Sequence, residues 1–144
     1  MDMGEIIMAA IDIALAQLKI DEGIRLRPYT DSRGKLSIGM GRNLTDVGIS
    51  QSECDFLASH DIQVALNTAD EAVHNFYTLT TPRQAVLIQM AFNLGRGTFG
   101  EFTTFLDLIE SGKYNEAADD LLNTAVAKEL PARYGRYADI IRNG

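Results

Sequence analysis

The hydrophobic period of the chain changes twice, and those two changes restrict the folds open to it. Up to residue 22, Ile7, Ile11, Ala14, Leu15 and Leu18 recur at helical spacing, which predicts a helix over about Glu5 to Glu22, stopped by Gly23. From Lys35 to Met40 the period is two. Leu36, Ile38 and Met40 point one way and Lys35, Ser37 and Gly39 the other, as on a half-buried strand. Asp31-Ser32-Arg33-Gly34 precedes that strand with Asp at the first and Gly at the fourth position of a β-turn, so a hairpin is expected. Gly34, Gly39 and Gly41 leave the ribbon little bulk, which suits a strand that lets a ligand come close. The helical period returns at Ser50-Gln51-Ser52-Glu53, which has the S-x-x-E form of a capping box, and runs to about Val73. At ~1.5 Å per residue a helix of about twenty residues reaches about 30 Å, enough to connect a small β lobe to a separate helical lobe.

Beyond it the pattern stays helical. Thr81-Pro82 supplies an N-cap followed by proline, and Ala85 to Leu94 is apolar nearly all round, as expected of the buried axis of a lobe. Gly95, Gly97 and Gly100 are expected to break the chain before an amphipathic helix from about Phe102 to Glu110, closed by Gly112. Further helices are expected over about Asn115 to Asn123 and from Pro131 to near Arg142. With no internal repeat and no Pro-, Gly- or Ser-rich linker, the pattern predicts an α+β, mainly α, single domain over 1–144 that folds as one cooperative unit. Its β lobe covers about 23–50 and its helical lobe about 1–22 and 51–144.

Charge and composition narrow the partners. The chain has 144 residues, 46% of them apolar, enough for a sizeable core. Thirteen Lys and Arg against twenty Asp and Glu give a net charge of -7, the wrong sign for a phosphate backbone, so nucleic acid is not an expected partner. The charge is uneven, since Lys128, Arg133, Arg136 and Arg142 face only Glu129 and Asp139 from Thr124 onward, and a locally positive flank follows. Cys54 stands alone, which leaves no internal disulfide framework, and is expected to be a buried or half-buried helix residue. With only His60 and His74 beside it there is no convincing set of soft metal ligands. The run Ile6 to Ile11 invites a signal-peptide or membrane reading, but Asp2, Glu5 and Asp12 oppose it. No cleaved export signal and no stable membrane insertion are expected, and the apolar stripe of the first helix is expected to pack onto the helical lobe.

Three polar groups stand out against this frame. Glu22 sits at a helix C-terminus, where carbonyl dipoles disfavour a negative charge, the environment of a general acid. Asp31 lies at the nearby turn, and Ser37 places a hydroxyl on the strand between them and the long helix. Each also has an ordinary conformational explanation, because Asp is common at the first position of a turn and Glu at a helix end is commonly just solvated.

The combined string is more specific: Lys19-Ile20-Asp21-Glu22-Gly23, then Arg25-Leu26-Arg27-Pro28-Tyr29-Thr30-Asp31, then Gly34-Lys35-Leu36-Ser37-Ile38-Gly39-Met40-Gly41. It closely resembles the phage-type lysozymes, the family of the T-even phage lysozyme, from about Lys19 to the end of the chain. The resemblance implies a bilobed lysozyme-like fold, and hydrolysis of the β-1,4 bond between N-acetylmuramic acid and N-acetylglucosamine in peptidoglycan by two carboxylates, with inversion and without a cofactor. By position Glu22 resembles the general acid, Asp31 the carboxylate that activates water or stabilises the cationic transition state, and Ser37 the family's catalytic threonine. Serine keeps the hydroxyl but loses the β-methyl that fixes its rotamer. Arg42 stands where many relatives place a histidine, and reads as a structural ion pair or surface charge. Met90-Ala91-Phe92-Asn93-Leu94-Gly95 resembles the segment that backs the family's cleft, with Asn93 at a position commonly held by glutamine. Pro131-Ala132-Arg133 resembles a segment whose arginine lies close to the catalytic glutamate, although the tryptophan many relatives carry just before it is missing. Asn93 and Arg133 are therefore candidate substrate-binding residues.

The resemblance further implies a monomeric endolysin or related antimicrobial muramidase of phage or prophage origin. It would be made in the host bacterial cytoplasm and act on the cell wall from the periplasmic side. The alternative is a catalytically silent muramidase-fold module that binds cell wall or a protein partner.

Overall fold

A computed structural model describes residues 2–144, so residue 1 of the expected first span lies outside it. Helix α1 covers Met3–Asp21. It starts earlier than its apolar spacing predicts because Asp2 accepts the Glu5 N–H while the Glu5 side chain accepts the Asp2 N–H, a reciprocal capping box. It ends as expected, with Glu22 at the C-cap and Gly23 at φ +70°, a conformation that costs any other residue.

Strands β1 (Arg25–Thr30), β2 (Leu36–Gly39) and β3 (Arg42–Asn43) form an antiparallel sheet in that order. Tyr29 pairs with Ser37, Thr30 with Leu36, and Ser37 in turn with Asn43, so β2 is the central strand. The register slips between Arg25 and Tyr29, where Pro28, lacking an N–H to give the ladder, is accommodated by an irregularity. The turn forms as expected, the Gly34 N–H donating to the Asp31 carbonyl over 3.0 Å. Of the two faces of β2 the one bearing Ser37 is the more enclosed: Ser37 is buried at 2% exposure, whereas Leu36 is 45% exposed and Ile38 half-buried. A central strand covered on its Tyr29–Ser37–Asn43 face encloses small side chains there, whatever the hydrophobicity of the other face.

Helix α2 (Gln51–Ala72) begins at the expected capping box, with the Glu53 N–H donating to Ser50 Oγ and the Ser50 N–H to the Glu53 carboxylate. Cys54 lies on α2 but is exposed, against expectation, because the first turns of this helix bury almost nothing. A short 3₁₀ turn, Phe76–Thr78, leads to α3 (Thr81–Gly100), α4 (Thr103–Glu110), α5 (Tyr114–Leu122), α6 (Ala125–Glu129) and α7 (Pro131–Asn143). The N-cap of α3 is Thr80 rather than Thr81. Only Gly95 breaks the helical path, at φ +77° and ψ 162°, and helix resumes as far as Gly100. The class is α+β, mainly α.

Contacts divide the chain into two compact units, Met1–Cys54 and Asp55–Gly144. The second holds the apolar core, built from Ala69, Val73, Phe76, Val86, Leu87, Met90, Phe99, Phe105, Ile109, Leu121, Tyr134 and Ile141 among others. Within α1 no residue is buried, and Ile7, Ile11 and Leu18 of its stripe are exposed. Ile13 and Ile20 lie off that stripe and are more exposed still, so the helix is apolar on several sides instead of one.

Candidate active site

The first unit carries Glu22, Asp31 and Ser37. Glu22 is exposed at the end of α1, its N–H donating to the Leu18 carbonyl over 2.9 Å, so the helix presents its carboxyl beside its own C-terminal carbonyls. Asp31, half-buried, follows β1 directly and is held on both sides of its peptide. Its N–H donates to the Lys35 carbonyl over 2.8 Å, and its Oδ1 accepts the N–H groups of Arg33 (2.8 Å) and Lys35 (2.9 Å). The Lys35 N–H, then that of Arg33 and the nearby Arg33 and Lys35 charges, hold the Asp31 carboxyl below the usual aspartate range against a partial desolvation that raises it. Asp31 is thus a fixed carboxylate at neutral pH. In the antiparallel register Ser37 faces the same side of the sheet as Tyr29, and Asp31 lies two residues beyond Tyr29, at the turn into β2. An arginine caps this face as well, the Arg25 guanidinium lying 4.4 Å from the Tyr29 ring centroid.

Arg42 is an ion-pairing residue, as its sequence position suggests. Its two terminal nitrogens donate to the two Glu53 oxygens, each over 2.6 Å, and Nη1 also reaches the Gly48 carbonyl. The fork holds Glu53 down to about 2, aided by the Ser50 N–H, and pushes the Arg42 guanidinium up. Glu53 therefore does two things at once, capping α2 and anchoring β3 to it.

Asn93 and Arg133 belong to the second unit, and there the structure brings them together. Both line an open cavity of ≈ 640 Å³ with Ile62, Ile88, Gln89, Phe92, Arg136 and Tyr137. The Asn93 Oδ1 accepts the Tyr134 hydroxyl over 3.0 Å, and burial keeps that phenol protonated as the donor, pushing its pKa up. Its amide nitrogen is left to turn elsewhere. Gln89 and Arg136 were not singled out from the sequence, yet helical spacing points to them: Gln89 precedes Asn93 by one turn of α3, and Arg136 follows Arg133 by one turn of α7. Two guanidiniums, two carboxamides and the Phe92 and Tyr137 rings make a surface able to hold a polar ligand with apolar edges. Among the described residues no group of three or more His, Cys, Asp or Glu is arranged to hold a metal ion, and no helix is long and apolar enough to cross a membrane.

One carboxyl at the end of α1 and another held at the turn of the hairpin stand on a mainly helical chain, and comparison gives its family. Residues 19–134 match the family model described as phage lysozyme, and the chain belongs to that family. Two proteins of Dictyostelium discoideum, named "Probable T4-type lysozyme 2" and "Probable T4-type lysozyme 1", are 29% and 27% identical to it over 156 aligned positions, in each case covering 88% of this chain and 92% of the relative.

Proposed function

We propose that this protein is a muramidase that hydrolyses the β-1,4 bond between N-acetylmuramic acid and N-acetylglucosamine in bacterial peptidoglycan, with inversion and without a cofactor. Family membership supports the lysozyme assignment, and the observation that carries the chemistry is the Asp31 carboxylate, fixed by two main-chain N–H groups at the turn of the hairpin that also bears Ser37. Glu22 donates its proton to the leaving sugar oxygen. Asp31 takes a proton from the attacking water, Ser37 holds that water, and the water adds to the anomeric carbon on the side opposite the departing oxygen. No base other than a carboxylate is required, so two histidines in the whole chain, both outside the hairpin, are no obstacle. Asn93 and Arg133 are read as substrate-binding residues. In this reading the protein is a monomeric endolysin of phage or prophage origin, made in the host cytoplasm and acting on the wall.

Glu22→Gln tests it. The variant keeps the shape and cannot supply the proton, and general acid catalysis is worth ~10²–10⁴ in rate. Release of reducing ends from purified peptidoglycan should fall by that order while circular dichroism and melting are unchanged, since Glu22 is exposed and supports no core contact. NMR of the first product should show an inverted anomeric configuration. Wild-type protein that releases nothing, while it and the variant co-sediment equally with peptidoglycan, points instead to a silent wall-binding module.

A further inference from the structure

We propose that Asp46 is a positioning residue for Asp31 and Ser37, because its two carboxylate oxygens tie together the residue whose main chain grips Asp31 and the residue paired with Ser37. The proposal rests on the muramidase reading for its kinetic consequences. Asp46 Oδ1 accepts the Lys35 ammonium over 3.1 Å, and Lys35 is the residue that holds Asp31 by both its N–H and its carbonyl. Asp46 Oδ2 accepts the Asn43 side-chain amide over 3.0 Å, the Asp46 N–H returns to Asn43 Oδ1 over 2.9 Å, and Asn43 is the β3 partner of Ser37. Between these anchors the Leu36 N–H donates to Thr45 Oγ1 over 2.9 Å and the Leu36 carbonyl accepts the Leu44 N–H over 2.8 Å.

Residues 43–46 thus strap residues 35–37, the stretch that carries the Asp31 grip and the Ser37 hydroxyl. The strap has a reason to exist. Strand β3 is only two residues long, so main-chain pairing ends with the Leu44 N–H on the Leu36 carbonyl, and the side chains of Thr45 and Asp46 brace the central strand beyond it. Lys35 and Asp46 keep 39% and 52% of their side-chain surface, and an ion pair so exposed adds little to global stability. Its loss should therefore be felt in local geometry more than in melting.

Removing the Asp46 charge has two opposed effects on Asp31. It frees the Lys35 ammonium, whose attraction favours the ionised acid, and it loosens the Lys35 N–H that holds Asp31 Oδ1. The N–H bond is the largest of the influences on Asp31 and the Lys35 charge the smallest, with Arg33 as the other cation that faces it. Loosening wins, and Asp31 should titrate at higher pH.

The test is a carbon-13 NMR titration of the Asp31 carboxyl in the full chain, with melting and kinetics on the same samples, for wild type, Asp46→Ala, Lys35→Met and the double variant. In Asp46→Ala the Asp31 titration and the acid limb of the rate profile should both move to higher pH. There kcat should fall roughly tenfold with KM and Tm near wild type, because misplaced catalytic groups cost rate before they cost binding. Lys35→Met should raise the titration further, since it also removes the Lys35 charge, and the double variant should match Lys35→Met, since both break one link. An Asp31 titration that is unchanged or lowered in folded Asp46→Ala or Lys35→Met overturns the positioning role. Wild-type protein without muramidase activity would sink the function instead, and the Asp31 titration would still decide the strap.

Discussion

Ser37 joins the proposed chemistry and the packing of the hairpin in one side chain. It is buried at 2% exposure on the central strand and paired on both sides, with Tyr29 and with Asn43. Ser37→Ala removes the hydroxyl without adding volume, so melting should hold while the rate of reducing-end release falls roughly 10–100-fold, at the low end of what a positioned proton-handling group contributes. An unchanged rate would take Ser37 out of the water-holding role. Asp31 and Ser37 were legible in the sequence because a turn signature and a period-two run locate them without any tertiary knowledge. The burial of Ser37 was not, since alternation tells which residues share a face and not which face is covered. Arg42 was legible as an ion pair or a surface charge, but the choice between them and the partner were hidden: Glu53 already had a complete local explanation as the fourth residue of a capping box, and nothing in a linear pattern says that one carboxylate serves two neighbours.

The same carboxylate gives the joint between β3 and α2 a definite acid dependence. Glu53 titrates at about 2 in the folded protein against an ordinary 4.5, so it binds its proton less readily folded than unfolded. Its contribution to stability is therefore complete above pH 4.5, declines below that, and is gone as the pH falls through about 2. Acid titrations followed by circular dichroism should show Glu53→Gln less stable than wild type at neutral pH and the gap closing between pH 4.5 and 2. A constant gap would mean that the Arg42 fork does not hold Glu53 down. In α3, Gly95 adopts φ +77° with nothing within 4 Å of where a Cβ would stand. Gly95→Ala should then carry only a backbone cost, about 1–3 kcal/mol in this essentially glycine-only region, lowering Tm by several degrees. A variant that melts like wild type would show that the kink relaxes at no cost. Element boundaries were legible where a cap and a period coincide, as at α2 and α4. They were missed where one is weak: the Asp2–Glu5 box of α1 precedes its apolar spacing, α6 has only five residues over which to show a period, and of the three glycines in α3 only one is left-handed.

At the scale of the molecule, apolar burial is distributed very unevenly. Among the described residues every buried apolar one falls between Ala65 and Ile141, whereas in the first unit Ser37 alone of them is buried. Sequence composition shows how much apolar material a chain has, and the first unit has plenty, including Ile6, Ile7, Ile11, Leu18, Ile24 and Leu26. It does not show where that material is enclosed, and all six of these side chains are exposed. The absence of a linker-like stretch also leads to the expectation of a single cooperative transition. The free energy needed to open a segment follows the apolar contact it must break, so the hairpin should open far more cheaply than the helices around Leu87, Phe105 and Tyr134. Amide hydrogen exchange followed by mass spectrometry tests this directly. Peptides from α3, α5 and α7 should exchange together and slowest, through global unfolding. Peptides covering Arg25 to Asn43 should exchange orders of magnitude faster through openings that leave the second unit protected, and Asp46→Ala should accelerate only this faster class. Equal protection across both units would instead mean that the hairpin and the helical core unfold as one.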